Sequence, residues 1–167
     1  MKDKDFERES GTGPSPEGTA AGKAPRLLLA EDDFDMRTLL AWSFRRTGYE
    51  VVECPDGVHL VDYLFSADPP VSPRDFDLIV SDIRMPGVTG LEVLEGTHDL
   101  KGFPPMILIT AFGDRETHEK AGRLGAAAIL DKPFEIEDLL ARAREIVSPG
   151  FREDFPRREG RFEREES

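Results

Sequence analysis

Phe76-Asp77-Leu78-Ile79-Val80-Ser81-Asp82-Ile83-Arg84-Met85-Pro86-Gly87 is an apolar run that ends on a carboxylate and breaks at Pro-Gly. Three further runs have the same form. Arg26-Leu27-Leu28-Leu29-Ala30 ends in Glu31, Asp32 and Asp33, and Pro105-Met106-Ile107-Leu108-Ile109 ends in Thr110. Ala126-Ala127-Ala128-Ile129-Leu130-Asp131 ends in Lys132-Pro133-Phe134. Unbroken apolar runs of this length suit strands buried on both faces, as in a parallel sheet. Ligands of open α/β sheets bind beyond the carboxyl ends of such strands. Several carboxylates, one hydroxyl and one ammonium collected there can hold a hard cation and a phosphoryl group.

Between these runs the pattern alternates. Asp35 can cap a helix to about Thr47, with Met36, Leu39, Leu40 and Phe44 on one face and Gly48 ending it. Trp42, at the border of that face, reads as a packing residue. Tyr49–Glu53 reads as a short strand, and Asp56 caps a helix carrying Val58, Val61, Leu64 and Phe65. The proline-rich Ser66–Asp75 reads as a loop. A short helix starts at Gly90 and is weakened by Gly96; a polar one spans Asp114–Leu124, closed by Gly125. Glu135–Val147 is amphipathic, with Ile136, Leu139, Leu140, Ala143 and Val147 at core spacing. Five repeats of strand then helix predict a doubly wound parallel α/β sheet with right-handed crossovers.

The chain has 167 residues and a formal net charge of -12, which suits one domain with tails. Residues 1–24 read as a disordered leader and 149–167 as a disordered or docking tail, with the folded domain at 25–148. The acidic balance, with no basic cluster outside the tail, argues against direct DNA binding and against an anionic membrane surface. The single Cys54 excludes an internal disulfide and reads as a small buried hydrophobe. No signal peptide or membrane span is legible, so a soluble cytoplasmic protein is expected. His59, His98 and His118 lie in separate segments at no metal-ligand spacing and read as surface residues.

The chemistry is concentrated at the strand ends. Glu31 and Asp32 leave the first strand and Asp82 leaves the third. Packed together without a cation these groups would repel, and one would protonate. Mg²⁺ takes oxygen ligands of this kind and often adds a backbone carbonyl. Thr110 offers a hydroxyl donor, Lys132 a point charge for phosphoryl oxygens, and a carboxylate can itself attack phosphorus. Asp33 and Asp35 read as helix caps.

In combination, Leu28–Arg37, Ser81–Gly87, Ile109-Thr110-Ala111 and Asp131–Phe134 resemble the receiver domain of two-component response regulators, over roughly Arg26 to Ser148. The resemblance implies a flavodoxin-like strand order 2-1-3-4-5. It implies Asp82 as phosphoacceptor, with a histidine kinase or phosphotransfer protein as donor. Asp32, Asp82 and the Arg84 backbone carbonyl would bind Mg²⁺ directly, and Glu31 mainly through water. Thr110 and Lys132 would contact the phosphoryl group, and the Lys132–Pro133 bond would be cis. Catalysis would be limited to self-catalysed phosphotransfer and autodephosphorylation. The chain after Val147 is too short for a helix-turn-helix domain. A stand-alone regulator is therefore expected, its output passing to a downstream effector protein through the fourth helix, fifth strand and fifth helix. That face could also serve a homodimer.

Two departures matter. The family usually carries Tyr or Phe three residues before the lysine, where this chain has Ile129, so the helix at Asp114–Leu124 and its preceding loop are expected to carry the switch. Arg84 and Phe112 stand two residues past Asp82 and Thr110, on the expected path of the hydrolytic water, so slow autodephosphorylation is expected. Two alternatives remain open: a non-switching scaffold, and a metal-dependent phosphohydrolase, which would need an acid where Arg84 stands.

Overall fold

The computed structural model describes residues 23–65 and 73–148; the readings of the leader, the tail and most of the Ser66–Asp75 loop lie outside them. Five strands alternate with five helices. In chain order these are β1 (Arg26–Ala30), α1 (Phe34–Arg46), β2 (Glu50–Cys54), α2 (Gly57–Phe65), β3 (Leu78–Asp82), α3 (Gly90–Thr97), β4 (Met106–Thr110), α4 (Arg115–Arg123), β5 (Ala128–Asp131) and α5 (Ile136–Val147). A 3₁₀ turn, Pro73–Asp75, precedes β3.

All strand pairs are parallel and the order is β2-β1-β3-β4-β5, the flavodoxin-like arrangement expected. The three central strands lie almost wholly inside, and β2 and β5 form the half-exposed edges. Alternation along each strand sorts the core into two layers. Leu27, Leu29, Leu78, Val80, Ile107 and Ile109 meet Leu40 and Phe44 of α1 and Leu139, Ala143 and Ile146 of α5. On the other face, Leu28, Ala30, Ile79 and Leu108 meet Leu60 and Leu64 of α2, Val93 and Leu94 of α3 and Ala121 of α4. Among the described residues no helix is long and apolar enough to cross a membrane.

The local expectations hold with several corrections. Helix α1 starts earlier than Asp35, because the Asp33 carboxylate accepts the Met36 N–H at 2.7 Å and caps it. Leu39 and Trp42 do not pack: they are 45% and 55% exposed. The angular window facing the sheet is already filled by Leu40, Ala41, Ser43 and Phe44, and the Arg46 guanidinium covers the Trp42 ring at 4.6 Å. On α2, Val58 and Phe65 likewise point out, while Leu60 and Leu64 take the core. Gly96 does not stop α3, which is capped by the Thr89 hydroxyl and runs on to Thr97. Cys54 is fully buried, and burial pushes its thiol up to about 12. All three histidines are carboxylate-paired; His59 is exposed, whereas His98 and His118 are half-buried.

The two layers predict a sharp contrast in mutational cost. Leu108→Ala, in the fully buried centre of β4, should lower unfolding free energy by about 2–5 kcal/mol. Trp42→Ala should change it by less than about 1 kcal/mol. Urea denaturation followed by circular dichroism checks both.

Candidate functional site

Strand order reverses between β1 and β3: the chain first builds outward to β2, then returns to the far side of β1. The crevice this leaves is at the carboxyl ends of β1 and β3. The register pairs Ala30 with Ser81 and Asp82 with Ile109, and further out Thr110 with Asp131. Glu31 and Asp82 therefore emerge side by side, with Thr110 and Lys132 one step beyond them.

Carboxylate oxygens of Glu31, Asp32 and Asp82 all lie within 4.8 Å of one another. Glu31 and Asp82 are buried and Asp32 faces out. The Lys132 Nζ donates to Asp82 Oδ2 at 2.8 Å and to Glu31 Oε2 at 3.2 Å. Its own backbone N–H donates to the Thr110 carbonyl at 2.8 Å, which ties the lysine loop to β4. The Lys132–Pro133 peptide is cis, as expected. Asp82 Oδ1 accepts the Arg84 N–H at 3.1 Å. Thr110 is buried, and its hydroxyl oxygen accepts the Phe112 N–H at 3.2 Å. Beside Lys132, an open depression is lined by Met36, Ala111, Pro133 and Phe134.

The electrostatics follow from this packing. Burial, and after it the Asp82 charge, push Glu31 up to about 7, against lowering by the Asp33 N–H and Lys132. Burial alone would lower the Lys132 ammonium. Its hydrogen bond with Asp82, and the charges of Asp82 and Glu31, outweigh this and hold it above the ordinary lysine range. The site is thus a crowded set of hard oxygen donors with one ammonium, and three carboxylates against one cation leave negative charge uncompensated. That donor set fits a small divalent ion.

Several supports were not legible in the sequence. Arg37 Nη1 donates to the Glu31 carbonyl at 2.8 Å and its Nε lies 3.6 Å from Glu53, which fixes the turn after β1. Its place one helical turn after the Asp33 cap is the signal that could have identified it. Gly90 has a negative φ; it matters for room, since a Cβ there would strike the Asp82 carbonyl oxygen and lie 2.8 Å from Ser81 Oγ. Gly87, at φ +84°, makes the turn that only glycine adopts readily. Phe112 does not fill the pocket. It stands 69% exposed, with the Arg84 guanidinium 4.7 Å from its ring centroid.

Residues 27–144 match the family described as the response regulator receiver domain. The transcriptional regulatory protein PdtaR of Mycobacterium tuberculosis is 36% identical over 143 residues, which cover 85% of this chain and 65% of that protein. The chain therefore spans just under two thirds of that relative's length. Sporulation initiation phosphotransferase F of Bacillus subtilis is 26% identical over 114 residues, covering 68% of this chain and 86% of that protein. The crystal structure of a CheY-like response regulator receiver domain protein from Methanospirillum hungatei matches with a TM-score of 0.66 and 26% identity. The match covers 78% of this chain and 99% of that one.

The position of Glu31 has a consequence for stability. Between its ordinary value of 4.5 and about 7, folded Glu31 retains a proton that the unfolded chain has released. Raising pH through that window therefore favours unfolding. In chelator, the urea midpoint should fall from pH 4.5 to 7 by more in the wild type than in Glu31→Gln, and added Mg²⁺ should shrink the difference.

Proposed function

The chain belongs to the response regulator receiver family, and on that footing we propose that Asp82 accepts a phosphoryl group from a histidine kinase or phosphotransfer protein. The signal then passes by conformational change to a protein partner. The observation that carries this reading is Lys132, whose ammonium spans Asp82 and Glu31 at 2.8 and 3.2 Å in the crevice where strand order reverses.

A carboxylate oxygen of Asp82 attacks phosphorus in line. The new O–P bond forms as the P–N bond to the donor imidazole breaks, and the departing nitrogen keeps the electron pair and takes a proton. Lys132 turns part of its charge from the carboxylates to the phosphoryl oxygens, and the Thr110 hydroxyl donates to one of them. Receiver domains generally bind Mg²⁺ at an acidic pocket. Here Asp32, Asp82 and the Arg84 carbonyl would hold it, with Glu31 acting through water. When bound, the ion supplies positive charge against the crowded carboxylates and the incoming phosphoryl group. Arg37 keeps the acidic turn in place throughout.

The acyl phosphate shifts a two-state equilibrium. The reading places the domain at 25–148 in a cytoplasmic protein. Its output passes to an effector protein through α4, β5 and α5, a face that could also pair two copies. The net charge of -12 gives no support to direct DNA contact. A phosphohydrolase is the weaker reading, because Arg84 lies against Phe112 where that chemistry needs an acid. A non-switching scaffold is the weaker reading because Glu31, Asp32, Asp82, Thr110 and Lys132 are all retained at one crevice.

Incubation with acetyl phosphate and Mg²⁺ should add one phosphoryl group by intact mass, and either Asp82→Asn or chelator should abolish it. A persistent adduct on Asp82→Asn would refute the assignment. Phe112 and Arg84, in mutual contact two residues past Thr110 and Asp82, should also slow hydrolysis of the adduct. Phe112→Glu is expected to raise the autodephosphorylation rate several-fold, followed as loss of the adduct with time.

A further inference from the structure

Helix α4 is the most weakly anchored of the five helices. Its sequence, Arg-Glu-Thr-His-Glu-Lys-Ala-Gly-Arg, buries Ala121 alone, whereas α1 and α3 each bury four residues and α5 buries three. Polar contacts do the rest. Lys120 lies 3.3 Å from Glu95 of α3, and His118 Nε2 lies 2.9 Å from Asp131 Oδ1 at the end of β5. A carboxylate only accepts, so Nε2 carries the hydrogen, and the bond holds with the ring neutral or charged. Asp131 is the residue immediately before Lys132.

Gly113, in the loop from β4 to α4, lies flat against this pair. A Cβ on it would strike Asp131 Oδ1 and come within 2.6 Å of His118 Nε2 and 2.8 Å of Thr110 Cγ2. Thr110 is bound to the same loop through the Phe112 N–H. The loop, the partly exposed His118–Asp131 bond and Thr110 therefore meet at one corner. At β5, Ile129 packs against the core layer that holds Leu28 and Leu108, so no aromatic ring stands there to couple the strand to the loop.

We propose that His118 is a positioning residue whose bond to Asp131 latches α4 and its preceding loop in the unmodified pose, and that the latch opens when Asp82 is modified. The latch rests on the reading of Asp82 as phosphoacceptor. A bond that favours the unmodified pose must oppose any ligand that favours the other. Its removal should therefore tighten binding of a phosphoryl mimic, the opposite of what simple structural damage produces.

The test is titration of the full chain with beryllium trifluoride in saturating Mg²⁺, followed by ¹⁹F NMR of the bound species, with circular dichroism confirming the fold. His118→Ala should raise the affinity by about two- to fivefold, the scale expected of one partly exposed polar pair. Asp131→Ala should do the same, and the double variant His118→Ala/Asp131→Ala should match the single ones, because each removes the same bond. His118→Gln, which can still donate, should return toward wild type, and Glu119→Gln on the exposed face should leave affinity unchanged. Unchanged or weaker binding in both His118→Ala and Asp131→Ala, with the wild type binding normally, overturns the latch alone. A wild type that does not bind the mimic overturns the Asp82 reading and the latch with it.

Discussion

Carboxylates do not gather without a compensating charge, and the folded chain forces Glu31 and Asp82 together beside the more exposed Asp32. Two parallel strands are bonded neighbours in the sheet, and Glu31, just past β1, comes level with Asp82, the last residue of β3. Lys132, arriving from β5 across the width of β4, supplies the only ammonium in contact with both buried acids among the described residues. Much of the architecture serves that meeting. The five-strand register sets the heights, the cap at Asp33 and the Arg37 guanidinium fix the turn after β1, and the missing side chain of Gly90 lets α3 close over the Asp82 backbone. The residual negative charge is what the site offers to a cation.

Much of this was legible in the sequence because the signals are local and redundant. An apolar run ending in acid specifies both a buried strand and the chemistry at its tip. Repetition of strand and helix left a parallel doubly wound sheet as the economical arrangement, and motif resemblance supplied its strand order. The strands and α-helices of the described residues were of the expected type, a 3₁₀ turn at Pro73–Asp75 stood where a loop was read, and the ends moved by a residue or two, where capping decides. Asp33 outcompeted Asp35 because its carboxylate reaches the Met36 N–H.

What stayed hidden depends on contacts between segments far apart in sequence. Trp42 lay at the border of the predicted apolar face, but four neighbours had already filled the helix's contact window. Arg84 and Phe112 were each placed near the pocket by position, yet nothing in the sequence said that one would stack on the other. The pairing of His118 with Asp131 was likewise out of reach: periodicity put His118 on a polar helix, and only the packing of α4 beside β5 brings the two together.

The placement of Trp42 has an optical consequence. It is the sole indole of the chain, and it sits on the outer face of α1 beneath the Arg46 guanidinium. Because the ring is already largely wetted in the native fold, its emission is a poor gauge of core integrity. It is instead sensitive to what comes to rest against that helix, so an arriving molecule that shielded it from solvent would announce itself by a shift in colour without any attached dye.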